Sequence, residues 1–126
     1  MKKLFLLLPF CLLASCQSNC QSLNGNAYQF ELDNTPVTIA FDEKENRYYG
    51  KVVNNYFGNY TKDNHKITLH AGGSTMMMGP KKAMAVEQKW FELLPQVVAY
   101  SQTENALILT LENGTKLKLN KTILPN

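Results

Sequence analysis

Four methionines and two histidines are the side chains in this sequence best suited to hold a metal. Met76, Met77, Met78 and Met84 lie close together, with His65 and His70 shortly before them. Thioether sulfur and imidazole are ligands that suit Cu(I). The competing use is packing, because methionine is flexible and fills irregular gaps between a loop and a helix. Packing takes precedence here, with Met76, Met77, Met78, Met84 and His70 kept as the alternative metal set. His65 and His70 could also serve as general bases, but a base needs a positioned partner. His65 falls in a turn and His70 at a strand end, which places both on the surface. Ser74 has no nucleophile elbow around it, and no nucleophile, base and orienting group are visible together. Asp42, Glu43 and Glu45 lack the glycine and spacing of a calcium loop and read as a solvated turn. The expectation is a protein that is not an enzyme and carries no cofactor.

The aromatic side chains are denser. Arg47 to Thr61, RYYGKVVNNYFGNYT, holds Tyr48, Tyr49, Tyr56, Phe57 and Tyr60. Strand alternation sends Tyr48 and Tyr49 to opposite faces. The five rings exceed what one strand face buries, so some of them form a candidate groove for a peptide, a lipid or a glycan. The competing reading puts them in a second packed layer or a barrel interior. Asn tolerates turn and left-handed geometry, which sets the bend between two strands at Asn54-Asn55.

Length and charge narrow the class. The chain has 126 residues, room for one domain. Met1-Lys2-Lys3 and the apolar run Leu4 to Leu13 read as a signal peptide over residues 1–15, too short for a permanent span. The run ends in Leu13-Ala14-Ser15-Cys16, which resembles the lipobox of bacterial lipoproteins. That resemblance implies cleavage before Cys16, acylation of Cys16, and a protein tethered to the cell envelope. Gln17, in place of an aspartate, implies the outer membrane, facing the periplasm. The 13 Lys and Arg stand against 10 Asp and Glu; without Lys2 and Lys3 the balance is 11 to 10. A nearly neutral domain with no basic stripe argues against nucleic acid as a partner. Cys11 leaves with the signal, Cys16 takes lipid, and Cys20 alone remains, so a hydrophobic core must hold about 95 residues without a disulfide.

The elements that must position these residues follow from periodicity. Residues 16–26 are polar and unpatterned, a flexible tether to a domain over residues 27–121. Tyr28, Phe30 and Leu32 alternate with polar residues, as do Val37, Ile39 and Phe41. Asp33-Asn34-Thr35-Pro36 breaks the run between them. Lys62 to His65 is a hairpin turn, and Ile67 and Leu69 belong to another half-buried strand. Ala71 to Pro80 is a loop. Ala83, Val86, Trp90 and Leu94 then recur at helical spacing with Glu87 and Lys89 outward, and Pro95 closes the run. Strands follow at Val97 to Ser101, Ala106 to Leu111 and Thr115 to Leu119, the last two joined by a tight Asn113-Gly114 turn. The fold class is α+β: a curved, mainly antiparallel, barrel-like sheet of about six to eight strands packed against one helix.

This order, with particular residues, resembles the META domain of HslJ-type heat-shock lipoproteins. Tyr28-Gln29-Phe30 followed by Asp33-Asn34 is similar to the family's opening strand and turn. Asn54-Asn55-Tyr56-Phe57-Gly58-Asn59-Tyr60 is similar to its Cys-Asn-x-[Tyr/Phe]-x-Gly-x-Tyr signature. Ser74 to Pro80 is similar to its Thr-Arg-Met-x-Cys segment. The resemblance implies a binding or stress-protective module whose partner is an envelope protein, a peptide or a small apolar ligand. It also aligns Val53 and Gly79 with two family cysteines, and Met76 with the family's arginine. If those cysteines are bridge partners in the family, Val53 and Gly79 are expected to have Cα atoms within roughly 7 Å.

The lipobox resemblance generates the first prediction. Cys16→Ser is expected to prevent acylation and to leave the signal uncut or the protein free of the membrane. Fractionation with mass analysis of the amino terminus checks this; a cleaved, unlipidated protein still held in the membrane contradicts it.

Overall fold

The computed structural model describes Leu23 and residues 25–124. The signal peptide, Cys16, Cys20 and most of the expected tether lie outside the described residues. Nine strands and one helix follow in order: β1 (Ala27–Leu32), β2 (Thr35–Asp42), β3 (Arg47–Lys51), β4 (Asn55–Asp63), β5 (Lys66–Leu69), β6 (Gly73–Ser74), α1 (Lys81–Leu93), β7 (Val97–Gln102), β8 (Ala106–Leu111) and β9 (Lys116–Thr122). A 3-10 turn, Leu94–Gln96, joins α1 to β7.

Alternation forms the strands, as on β4, where Tyr56, Gly58 and Tyr60 are buried between exposed Asn55, Phe57 and Asn59. Every pairing is antiparallel, and the neighbours run β3-β2-β1-β9-β8-β7-β5-β4. Pairing of β3 with β4 closes this order into an eight-stranded barrel. The expected α+β fold of curved antiparallel sheet and one helix is thus what forms. Closure removes the exposed edges that an open sheet presents. Only the two-residue β6 sits outside the ring, hydrogen-bonded to β4.

The turns are set by residues that accept positive φ. Asp33 and Asn34, at φ 50° and 67°, form a two-residue loop closing β1 on β2. Asn46 and Asn64 take the same region in their turns. Asn54 and Asn55 do not, yet the expected bend between β3 and β4 forms at residues 52–54, with Asn54 held through its side chain rather than by left-handed backbone. The Asn113-Gly114 turn is also different from expectation. Only Gly114 has positive φ, at 90°, and the Leu111 carbonyl accepts from its N–H.

The registers give the barrel two ends. At the lower end lie the turns after β2 and β4, the loop after β7, and Leu23, which is fully buried. Leu23 falls within the stretch expected to be tether, yet its side chain is fully buried at this end and its N–H donates to Glu43 Oε2 at 3.1 Å. At the upper end lie the turns after β1, β3 and β8, the loop 70–80, and α1.

Helix α1 closes that end. Val86 and Trp90, one turn apart, point inward, and Trp90 is fully buried. Its ring stacks on Phe30 at 6.1 Å, and its Nε1 donates to the Tyr56 hydroxyl at 2.9 Å. Glu87, expected to face solvent, is 5% exposed. It stands three residues before Trp90, on the flank of the same buried stripe. Among the described residues no helix is long and apolar enough to cross a membrane.

Trp90→Ala is expected to cost about 3–5 kcal/mol, a large part of the stability of a domain this size. Urea unfolding measures it; a loss below ~1 kcal/mol would mean that the indole does not anchor α1 to the barrel.

Candidate functional site

The upper end is organised by two glycines and two tyrosines. Across β3 and β4, Tyr48 faces Gly58 and Gly50 faces Tyr56. A Cβ on Gly58 would stand 2.4 Å from the Tyr48 hydroxyl, and one on Gly50 would meet the Thr38 carbonyl and the Tyr56 hydroxyl. Each ring therefore crosses a residue with no side chain and reaches a backbone carbonyl. Tyr48 Oη donates to His70 O and Tyr56 Oη to Thr38 O, each at 2.6 Å. Burial raises the pKa of both phenols, so they stay protonated and remain donors.

Above these rings a polar knot ties three segments together. Glu87 Oε2 accepts from the backbone N–H of Val53 (3.0 Å) and of Asn54 (2.6 Å), and Oε1 accepts from Asn54 Nδ2 at 2.9 Å. Asn54, 3% exposed, uses the rest of its amide on the methionine loop. Its Oδ1 accepts from Thr75 Oγ1 and the Met77 N–H, and its Nδ2 donates also to the Met77 carbonyl. A buried carboxylate is costly unless its lone pairs are used, and here three donors meet it.

Between α1, the 3-10 turn and the β5–β6 segment lies an apolar cavity of about 200 Å³. Tyr48, Tyr56, Leu69, Phe91, Leu94 and Pro95 line it, and Phe57 and residues 71–74 form its rim. Phe91 meets Tyr56 edge to face at 5.4 Å. Beside the cavity β5 and β7 share a single register pair, Lys66–Ala99, low in the barrel.

The predicted groove residues are divided by the barrel wall. Tyr48 and Tyr56 reach the cavity from inside, and Phe57 reaches its rim. Tyr49 lies on the outer face, 43% exposed. Tyr60 lies lower in the interior, edge to face with Phe41, its pKa pushed up to about 12 by burial and then by Glu43, Tyr100 and Asp42. The metal set is divided too. Met76 and Met78 are 90% and 88% exposed, so they do not fill a gap as packing would require. Met77 is half-exposed and Met84 half-buried. The His70 ring faces Thr61 on β4, whereas Met77 is held at Asn54, about 23 Å along the same stretch at strand rise. Both histidines are exposed, as expected. The carboxylates at 42, 43 and 45 do not converge: Asp42 accepts from the Lys44 N–H and Glu43 from that of Leu23. Among the described residues no group of three His, Cys, Asp or Glu could hold an ion. Sequence reasoning missed Glu87, Phe91, Leu94 and Pro95 as site residues; the position of Glu87 on the Trp90 stripe was the available signal.

Comparison with known proteins adds the following. The model of the META domain matches residues 15–122. Among curated proteins none matches. Among solved structures, a protein from Burkholderia xenovorans is 18% identical with a TM-score of 0.62, covering 81% of this chain and 85% of its own. A DUF4847 family protein from Bacteroides vulgatus is 16% identical with a TM-score of 0.52, covering 67% and 57%. At these identities the likeness is one of fold.

The expected neighbours Val53 and Gly79 do meet. A Cβ on Gly79 would lie 3.6 Å from the Val53 Cβ and 2.7 Å from its Cγ1. The first distance is within the disulfide range of about 3.5–4.5 Å. Val53→Cys with Gly79→Cys is expected to form a bridge on oxidation and to add up to roughly 3–4 kcal/mol. Thiol titration and the shift in urea midpoint on reduction check it; two free thiols after oxidation would contradict the geometry.

Proposed function

The chain belongs to the META domain family, and from that premise we propose that it is a non-catalytic, lipid-anchored envelope protein that holds a small apolar ligand or a partner's side chain beneath α1. The observation that carries the reading is the cavity of about 200 Å³, walled by aromatic and aliphatic side chains and open at one rim. A concave apolar site with few polar groups suits binding. Its position supports the anchored arrangement. Leu23 enters the barrel at the lower end, so a lipid on Cys16 would leave α1 and the cavity at the end turned away from the bilayer. An outer-membrane anchor facing the periplasm and a stress-protective role, in which the cavity takes up exposed apolar groups, belong to the same reading.

One observation favours a second reading, soft-metal handling. Met76 and Met78 leave their thioethers in solvent while Asn54 fixes the loop backbone at Met77. Copper(I) would then be held by the loop methionines without His70.

Octanoate is the probe for the first reading. Burying five or so methylenes at about 0.8 kcal/mol each gives about 4 kcal/mol, so with the cost of association a Kd on the order of 1 mM or weaker is expected. NMR shifts are expected at Leu69, Phe91 and Leu94 and are expected to vanish in Ala71→Trp, which occludes the rim. Octanoate that shifts none of these signals would overturn the cavity reading. Cu(I) titration of the same protein against a variant with leucine at 76, 77 and 78 decides the second: equal affinities remove it.

A further inference from the structure

The outer face of β3 and β4 carries a regular array that the cavity touches only at Phe57. Side chains pointing outward on β3 are Arg47, Tyr49 and Lys51; those on β4 are Asn59, Phe57 and Asn55, each opposite its partner in register. Two aromatic rings therefore stand side by side, flanked at both ends by a cation and an amide. Opposed residues on antiparallel strands have Cβ atoms about 4.5–5.5 Å apart. Tyr49 and Phe57 are 43% and 45% exposed, large values for side chains of this kind in a folded domain.

The surface between them is not flat. Three open depressions, of about 460, 460 and 400 Å³, follow one another along the face. Tyr49 borders the first and second, and Phe57 the second and third. Lys51 lies at the first, Arg47 and Asn55 at the second, and Arg47 and Asn59 at the third. Glycines 50, 58 and 72 contribute to the lining, so bare backbone lies at the surface there.

The charges favour an anion. Arg47 lies over the Phe57 ring at 5.3 Å, and among the described residues neither Arg47 nor Lys51 is in an ion pair. Asp42, the one carboxylate bordering the depressions, stands opposite Arg47 in register and accepts from the Lys44 N–H, so two cations face one carboxylate. Four residues of strand separate the two cations, about 13 Å. The recurring unit is thus a hollow with amide and cation, then a ring wall. The apolar C–H face of a sugar packs on such rings, its hydroxyls bond to amides, and carboxylates meet the cations. An extended peptide would need unpaired strand edges, and both edges of β3 are used, by β2 and β4.

We propose that this face is a binding site for a linear, carboxylate-bearing oligosaccharide, with three successive units seated between and beside Tyr49 and Phe57. The site lies outside the barrel wall and shares with the cavity Tyr56, Phe57, Ala71 and Gly72, so the two readings are told apart by residues each has to itself: Leu69 and Leu94 for the cavity, Tyr49 and Lys51 for this face.

The test titrates the whole chain, as the lipidated protein in detergent micelles, with a tetramer of galacturonate at low salt, reading backbone amide shifts on β3 and β4. Saturable shifts at Tyr49, Lys51, Asn55 and Phe57 are expected, with affinity falling at least tenfold in Tyr49→Ala and in Arg47→Gln/Lys51→Gln. The two charge substitutions are fully on the surface and keep the fold testable if Tyr49→Ala does not. Cellotetraose, of like length without carboxylates, is expected to bind at least tenfold more weakly. Absence of galacturonate binding overturns the proposal. So does equal binding of a tetraglutamate peptide or of single-stranded oligothymidylate, either of which would make this face a general anion surface.

Discussion

The arrangement of the upper end depends on one buried carboxylate. Glu87 comes from α1, yet its oxygens are committed to backbone and side-chain N–H groups of Val53 and Asn54 at the turn after β3. Removing a carboxylate from water is expensive, and the cost is met only where its lone pairs are filled by well-placed donors. Asn54 passes the constraint on, clamping Met77 by both its N–H and its carbonyl. Helix, turn and loop are thereby fixed relative to one another. Apolar packing by Trp90 and Val86 could hold α1 against the barrel, but packing is not directional. The hydrogen bonds to Glu87 set where along the barrel mouth the helix rests, and so where the cavity opens.

Inside the barrel the corresponding constraint is steric. An eight-stranded barrel has an interior just wide enough for its side chains. Large rings at every inward position of β3 and β4 would not fit. The chain alternates Tyr48 and Gly50 on one strand with Tyr56, Gly58 and Tyr60 on the next, set so that ring meets glycine. The phenol oxygens then extend to carbonyls on β2 and after β5, which gives a ring in an apolar interior the polar partner it needs. The tyrosine cluster is thus mainly a solution to filling a barrel, and only Tyr49 and Phe57 at its edges are exposed.

The two ends of the barrel divide the work. The lower end receives the N-terminal segment through Leu23 and the C-terminal strand through Thr122, which pairs with Ala27. The upper end carries the helix, the methionine loop and the apolar space below α1, beside strands β5 and β7, which share only the Lys66–Ala99 pair.

Much of this was legible in the residues. Alternation in Val37-Thr38-Ile39-Ala40-Phe41, the positive-φ candidates Asp33-Asn34, and the Val86–Trp90 spacing each determine a local conformation from neighbours a few positions apart. The opposite faces of Tyr48 and Tyr49 follow from the same period of two. The barrel-like curvature was legible too; the pairing that closes it was not, because the β3–β4 pairing that completes the ring and the single Lys66–Ala99 contact are registers between whole strands. The burial of Glu87 did not follow either. A glutamate on a helix faces water unless some distant segment offers it donors, and those donors are backbone N–H groups, which no residue type reveals. What the sequence determined by itself was which residues turn inward along each element. Which inward residues meet, and which outward rings come to stand side by side, only the tertiary structure decided, since that depends on how strands remote in the chain are aligned.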